Sequence, residues 1–99
     1  MGLPAARFGD NVSGDRGAPP VPINQLCAGT VKVNGKFVAV VGSKAAVHGC
    51  PITHSDYRTP IIIQGSPTVF AEGKPIARIN DPCDCGAMVI MASGDVFVA

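Results

Sequence analysis

The chain has 99 residues, including 12 glycines and 9 prolines, with eight Lys and Arg against seven Asp and Glu. That length suits one domain over residues 1–99, and the balanced charge offers no basic stripe for phosphate, which argues against nucleic-acid binding. No run approaches the ~20 apolar residues of a membrane helix, and the start of the chain lacks the charged-then-apolar layout of a signal peptide. Residues 1–10 read as a short strand or extended arm. Residues 11–24 read as a loop, because Pro19, Pro20 and Pro22 remove backbone donors and favour extended geometry. Residues 30–33 and 37–42 form a hairpin around Asn34-Gly35, the dipeptide that best tolerates the positive φ of a type I′ turn. Residues 42–47 offer at most one helical turn, and residues 44–60 are irregular. Short strands follow at 61–63 and 67–71, then a second turn at Glu72-Gly73, a Cys- and Gly-bearing turn at 82–87, and strands at 88–91 and 95–98. The class is all-β, with many short strands between Gly- and Pro-rich turns.

Two of these segments are copies of one pattern. Residues 31–43 (VKVNGKFVAVVGS) align with residues 69–81 (VFAEGKPIARIND), each an apolar run, a Gly-Lys turn and a second apolar run. The opening residues 4–10 (PAARFGD) resemble the second half of the copy at 75–81, and residues 95–99 (DVFVA) restart the pattern. With no Trp and a single Tyr, Val, Ile and Ala fill the core, which suits narrow β layers.

The chemistry-bearing residues lie between or beside the hairpins. His48, Cys50 and His54 fall in one loop flanked by Pro51 and Pro60, and Cys83 and Cys85 follow about thirty residues later. Neutral imidazole and thiolate bind zinc in tetrahedral sets, so two His with one or two Cys suffice. A metal would also supply folding energy that a small domain lacks. The spacing matches neither a zinc ribbon nor a C2H2 finger, and HExxH is absent. The same residues also fit ordinary loop histidines and a small buried cysteine. A Cys–His hydrolase built from Cys50 or Cys85 with His48 or His54 is a third reading, which requires a cleft that a domain of hairpins hardly offers.

Several dispersed motifs, in order, resemble the PAAR family. They are Pro4-Ala-Ala-Arg7 with Phe8-Gly-Asp10, the VNGK turn at 33–36, His48-x-Cys50-Pro51, GSPTVF at 65–70, GKPIAR at 73–78, and Cys85-Gly86. The resemblance implies a small β cone that caps a homotrimeric β-helical spike, either VgrG of a type VI secretion system or a contractile phage tail spike. It implies zinc near the point, with iron as the alternative metal. It places His48, His54 and Cys85 on ligand positions. The repeats allow an approximate threefold arrangement of the opening strand, the first hairpin, and the second hairpin grouped with the terminal strand, which would seat one chain on each spike trimer.

Where the family carries a first histidine, this chain has residues 13–17 (SGDRG). Cys50 is therefore expected as the fourth ligand ahead of Asp15, with Cys83 and Cys27 as weaker choices. The expected role is structural rather than enzymatic. The tip would assemble in the cytoplasm, leave by contraction and touch the target envelope transiently. The alternative is a metal-binding adaptor that couples an effector protein to the spike; the chain length points to a separately encoded effector.

Overall fold

A computed structural model describes residues 2–13, 19–46, 60–84 and 86–99 of the chain. Nine short strands follow in order: β1 (Leu3–Pro4), β2 (Asn11–Val12), β3 (Val21–Gln25), β4 (Lys32–Val33), β5 (Lys36–Phe37), β6 (Lys44–Ala45), β7 (Phe70–Ala71), β8 (Lys74–Pro75) and β9 (Phe97–Val98). The described residues contain no helix, so the architecture is all-β as the turn-rich sequence predicts.

The two copied segments form the hairpins β4–β5 and β7–β8. In the first, Asn34 and Gly35 adopt φ of 54° and 78°; in the second, Glu72 and Gly73 adopt 53° and 79°. Positive φ at both central residues is what a type I′ turn requires. Glutamate is a poor resident of that region, and its carboxylate is held by a hydrogen bond from Thr30 Oγ1.

The last strand departs from the sequence reading, which grouped it with the second hairpin. Instead β9 pairs antiparallel with β1, Leu3 opposite Val98 and Pro4 opposite Phe97. The register matches Lys36 opposite Val33 and Lys74 opposite Ala71, so the two chain ends build a third hairpin without a turn. Gly2 permits the closure, because a Cβ there would lie 2.5 Å from the Val98 carbonyl oxygen.

Residues 11–24 are likewise not a loop throughout. The strands β2 and β3 pair with each other, and β3 continues onto β6. Pro22 is tolerated because it is exposed and paired with Asn11 at a position that needs no donor. Its neighbour Ile23 supplies the N–H, to Asp10 O at 2.8 Å. The helical turn expected around residues 42–47 is also replaced: Gly42 sits at φ 97° and Lys44–Ala45 is the strand β6.

Between the hairpins the backbone closes on itself. Ala6 N–H donates to Ala77 O, Ala77 N–H to Ala39 O, and Ala39 N–H to Ala6 O, each at 2.9 Å. A second cycle runs beside it, from Phe8 N–H to Phe37 O, Val41 N–H to Pro75 O, and Ile79 N–H to Pro4 O, at 2.8–2.9 Å. Ala6, Ala39 and Ala77 are fully buried, and strands converging this closely leave room for a methyl group only. Two apolar clusters flank the alanines. Val33, Val38, Val40, Ala71 and Ile76 fill the hairpin side, while Val12, Ile23, Ala45, Ile62, Cys83 and Val89 fill the other.

Candidate functional site

Three four-residue corners lie beside the alanine cycle, at residues 7–10, 40–43 and 78–81. In each the fourth residue donates its N–H to the carbonyl of the first: Asp10 to Arg7 at 3.0 Å, Ser43 to Val40 at 2.9 Å, and Asp81 to Arg78 at 3.1 Å. The third residue has positive φ in all three (Gly9 90°, Gly42 97°, Asn80 72°). In each corner the fourth side chain accepts the N–H of the first: Arg7 to Asp10 Oδ2 at 2.8 Å, Val40 to Ser43 Oγ at 2.9 Å, and Arg78 to Asp81 Oδ2 at 2.7 Å. Asp10, Ser43 and Asp81 are buried.

Beyond the corners, Ile23, Ile62 and Val89 return to the centre. Each accepts an N–H from a corner's third residue, Gly9, Gly42 or Asn80, at 2.8 Å. The chain then reaches three intervals, 14–18, 47–59 and 85. The residues that precede them form a further cycle: Ser13 N–H to Met88 O at 2.8 Å, Ala46 N–H to Pro22 O at 2.8 Å, and Asp84 N–H to Ile61 O at 2.9 Å. Where the intervals end, Ala45 N–H donates to Pro60 O at 2.9 Å and Cys83 N–H to Ala87 O at 2.7 Å. All three intervals therefore leave one collar of backbone hydrogen bonds, above the apolar plug of Val12, Ile23, Ala45, Ile62, Cys83 and Val89.

The ligand candidates His48, Cys50, His54 and Cys85, and the alternative Asp15, lie outside the described residues. Among the described residues no three His, Cys, Asp or Glu gather as a metal-binding group. Cys83 is 3% exposed in the plug. Cys27 packs half-buried against it, and burial pushes its thiol up, partly offset by a hydrogen bond with Ser43.

Sequence reasoning passed over the polar clasps that fix the corners and turns. Arg7 reaches Asp10 through Nε at 2.9 Å and Nη2 at 3.0 Å, and Arg78 grips Asp81 likewise at 3.2 and 3.1 Å. The Asp10 carboxylate raises the Arg7 pKa further above its ordinary value. Arg7 Nη1 also donates to Asn34 Oδ1 at 3.1 Å, and Asn34 Nδ2 donates to Asp95 Oδ1 at 2.8 Å. The hydrogen bonds from Asn34 and Ser93 hold the Asp95 carboxyl below the usual carboxylate range. The clue was the Arg-x-x-Asp spacing, present at both 7–10 and 78–81.

The PAAR motif family matches residues 13–91. The NAD(P)(+) glycohydrolase toxin Tse6 and the (p)ppApp synthetase toxin Tas1, both of Pseudomonas aeruginosa, are each 32% identical over 79 aligned residues, 69% of this chain. The double-stranded DNA deaminase toxin A of Burkholderia cenocepacia is 32% identical over 81 residues, 82% of this chain. The chain spans 18% of the length of the first two relatives and 5% of the third.

Proposed function

The chain belongs to the PAAR motif family, and from that membership we propose that it is the tip of a trimeric β-helical spike, of the VgrG or phage-tail kind. The observation that carries the proposal is the closed set of backbone cycles, in which three chain segments play equivalent parts around the alanines. Such a pseudo-threefold domain suits a homotrimer's blunt end, since one chain can present three comparable strand pairs to three identical subunits. Exposed apolar residues of those pairs, including Leu3, Phe70 and Phe97, would be covered by the spike. The test is native mass spectrometry of the chain mixed with a purified trimeric spike. One chain per trimer is expected; no complex at micromolar concentration would reject the proposal.

A zinc ion is proposed as a clip over the collar, held by His48, His54, Cys85 and Cys50, with Asp15 as the competitor for the last place and iron as the alternative metal. The donor set fits, because two imidazoles and two thiolates make a closed structural zinc site. It also fits the fold, because the described flanks of all three intervals meet at one end above the plug. Bound metal would tie the loops bearing its ligands to one another, and its binding free energy would add to folding free energy. Elemental analysis of protein purified without added metal should find about one metal per chain, as one four-ligand set implies. Absence of metal would reject the clip and leave the cap intact.

A second reading is favoured by the relatives. Toxin names attach to proteins in which a region like this one is a small part. The chain would then also act as an adaptor that carries an effector on the spike, and the enzymatic activities in those names would belong to the effector and not to this domain. Assembly before export, and delivery into a target cell by contraction, follow from either reading.

A further inference from the structure

We propose that a groove beside the first hairpin binds an acidic peptide segment bearing an apolar anchor residue, supplied by another protein that rides on the tip. The groove is lined by Phe8, Lys32, Gly35, Lys36 and Phe37. Its two walls are aromatic and exposed to solvent, Phe8 by 44% and Phe37 by 39%. Phe8 N–H donates to Phe37 O at 2.8 Å, so the backbone fixes the separation of the walls. Gly35 lines the groove without a side chain.

The charge of the site sets the sign of its occupant. Lys32 Nζ stands 5.2 Å from the centroid of the Phe37 ring, which holds one ammonium against the wall through the ring quadrupole. The only ion pairs among the described residues are Arg7 with Asp10 and Arg78 with Asp81. Lys32 and Lys36 are therefore two exposed cations without a carboxylate partner there, flanking an apolar slot. A carboxylate-bearing segment with a Leu, Phe or Trp side chain meets both demands.

The equivalent positions elsewhere lack this combination. Beside Val41 the second strand pair presents Phe70, Lys74 and Pro75; beside Ile79 the chain-end pair presents Leu3, Pro4 and Phe97. One has a single lysine and the other none, and neither has two aromatic walls. A binding surface present once per tip selects a single cargo, whereas repeated surfaces would select three. The groove is complete in the isolated chain, so its binding is measured without the spike, and failure of spike docking and failure of groove binding are separate results.

The test uses the full chain and a fluorescein-labelled hexapeptide, Asp-Glu-Trp-Leu-Glu-Asp, read by fluorescence anisotropy. A peptide with every Asp and Glu replaced by Asn and Gln is the control. Saturable binding of the acidic peptide is expected, weakening at least about fivefold between 50 and 300 mM salt as screening predicts. Lys32→Glu with Lys36→Glu should weaken binding at least about tenfold, a loss in line with reversed interfacial charge, and Phe8→Ala should also weaken it. Lys74→Glu should leave it unchanged. Circular dichroism melting of each variant separates loss of binding from loss of fold. Absence of binding, equal binding of the neutral peptide, or an equal effect of Lys74→Glu would overturn the proposal.

Discussion

The corner at residues 7–10 and the corner at 40–43 have the same backbone and different chemistry. Both close with a hydrogen bond from the fourth N–H to the first carbonyl, and both return the first N–H to the fourth side chain. In one the acceptor is a carboxylate gripped by Arg7; in the other it is the hydroxyl of Ser43, and the first residue is Val40. The backbone thus requires an acceptor at the fourth position, while the arginine is required only by the charge of that acceptor. A buried carboxylate needs a partner to offset its desolvation. A buried hydroxyl is satisfied by hydrogen bonds alone, and Ser43 has a second one, to Leu26 O at 3.0 Å.

Four changes would break or sharpen this comparison. The largest effect is expected for Ser43→Asp, which places a carboxylate at a fully buried position beside Val40; a loss of about 4 kcal/mol follows for an unpartnered buried charge. Adding Val40→Arg should recover at least half of that loss in urea unfolding, and no recovery would mean that the corners are not interchangeable. Next comes Asp10→Ala, expected to cost about 3 kcal/mol because it orphans the Arg7 N–H and removes the carboxylate paired with its guanidinium. Ser43→Ala removes a neutral hydroxyl with its bonds to Val40 N–H and Leu26 O and should cost about 1.5 kcal/mol. A larger loss for Ser43→Ala than for Asp10→Ala would reverse the argument.

Gly35→Val tests the turns, where Asn34-Gly35 and Glu72-Gly73 share one geometry despite different first residues. A β-branched residue at φ 78° should cost about 2 kcal/mol through backbone strain. No Cβ clash contributes, since nothing lies within 4 Å of that position. Near-wild-type melting would show that the turn relaxes to another type.

The smallest effect concerns Asp95, which tethers the first hairpin through Asn34. Its folded pKa lies below the ordinary value of 3.8, so its contribution is present in full above that value. It fades as pH falls through the depressed folded value. The wild type should therefore lose a small increment of stability below about pH 4, the ordinary carboxylate range. Asp95→Asn should remove that increment, and identical acid profiles would show that the tether contributes nothing.

The legible parts of this molecule were the local ones. Asn34-Gly35 announces its turn because both residues tolerate positive φ, and in the second turn Gly73 and the matching flanks carry the signal that Glu72 does not. The copied segments at 31–43 and 69–81 reveal the repeat before any contact is known. By contrast, residues 11–24 were misread as a loop because the prolines dominate the local signal. Ile23 nevertheless supplies the hydrogen bond that Pro22 cannot, so the strand survives. The partner of β9 was misassigned for a related reason: residues 95–98 show that a strand exists, but not which edge receives it.

The ligand candidates were drawn from residue type and family resemblance. The fold contributes a different fact, that the intervals holding them spring from one collar.

By itself the sequence determined an all-β chain, two matched hairpin turns, a core of small and branched apolar residues, and the family. Those follow from φ preferences, side-chain volume and motif order, all of which act within a few residues. Only the tertiary structure decided that the chain ends make the third hairpin. It alone decided that Ala6, Ala39 and Ala77 meet in one closed cycle, and that Phe8 and the first hairpin share a cationic groove. Those outcomes join segments as far apart as Leu3 and Val98, where pairing depends on the shape of the whole backbone and the burial it permits.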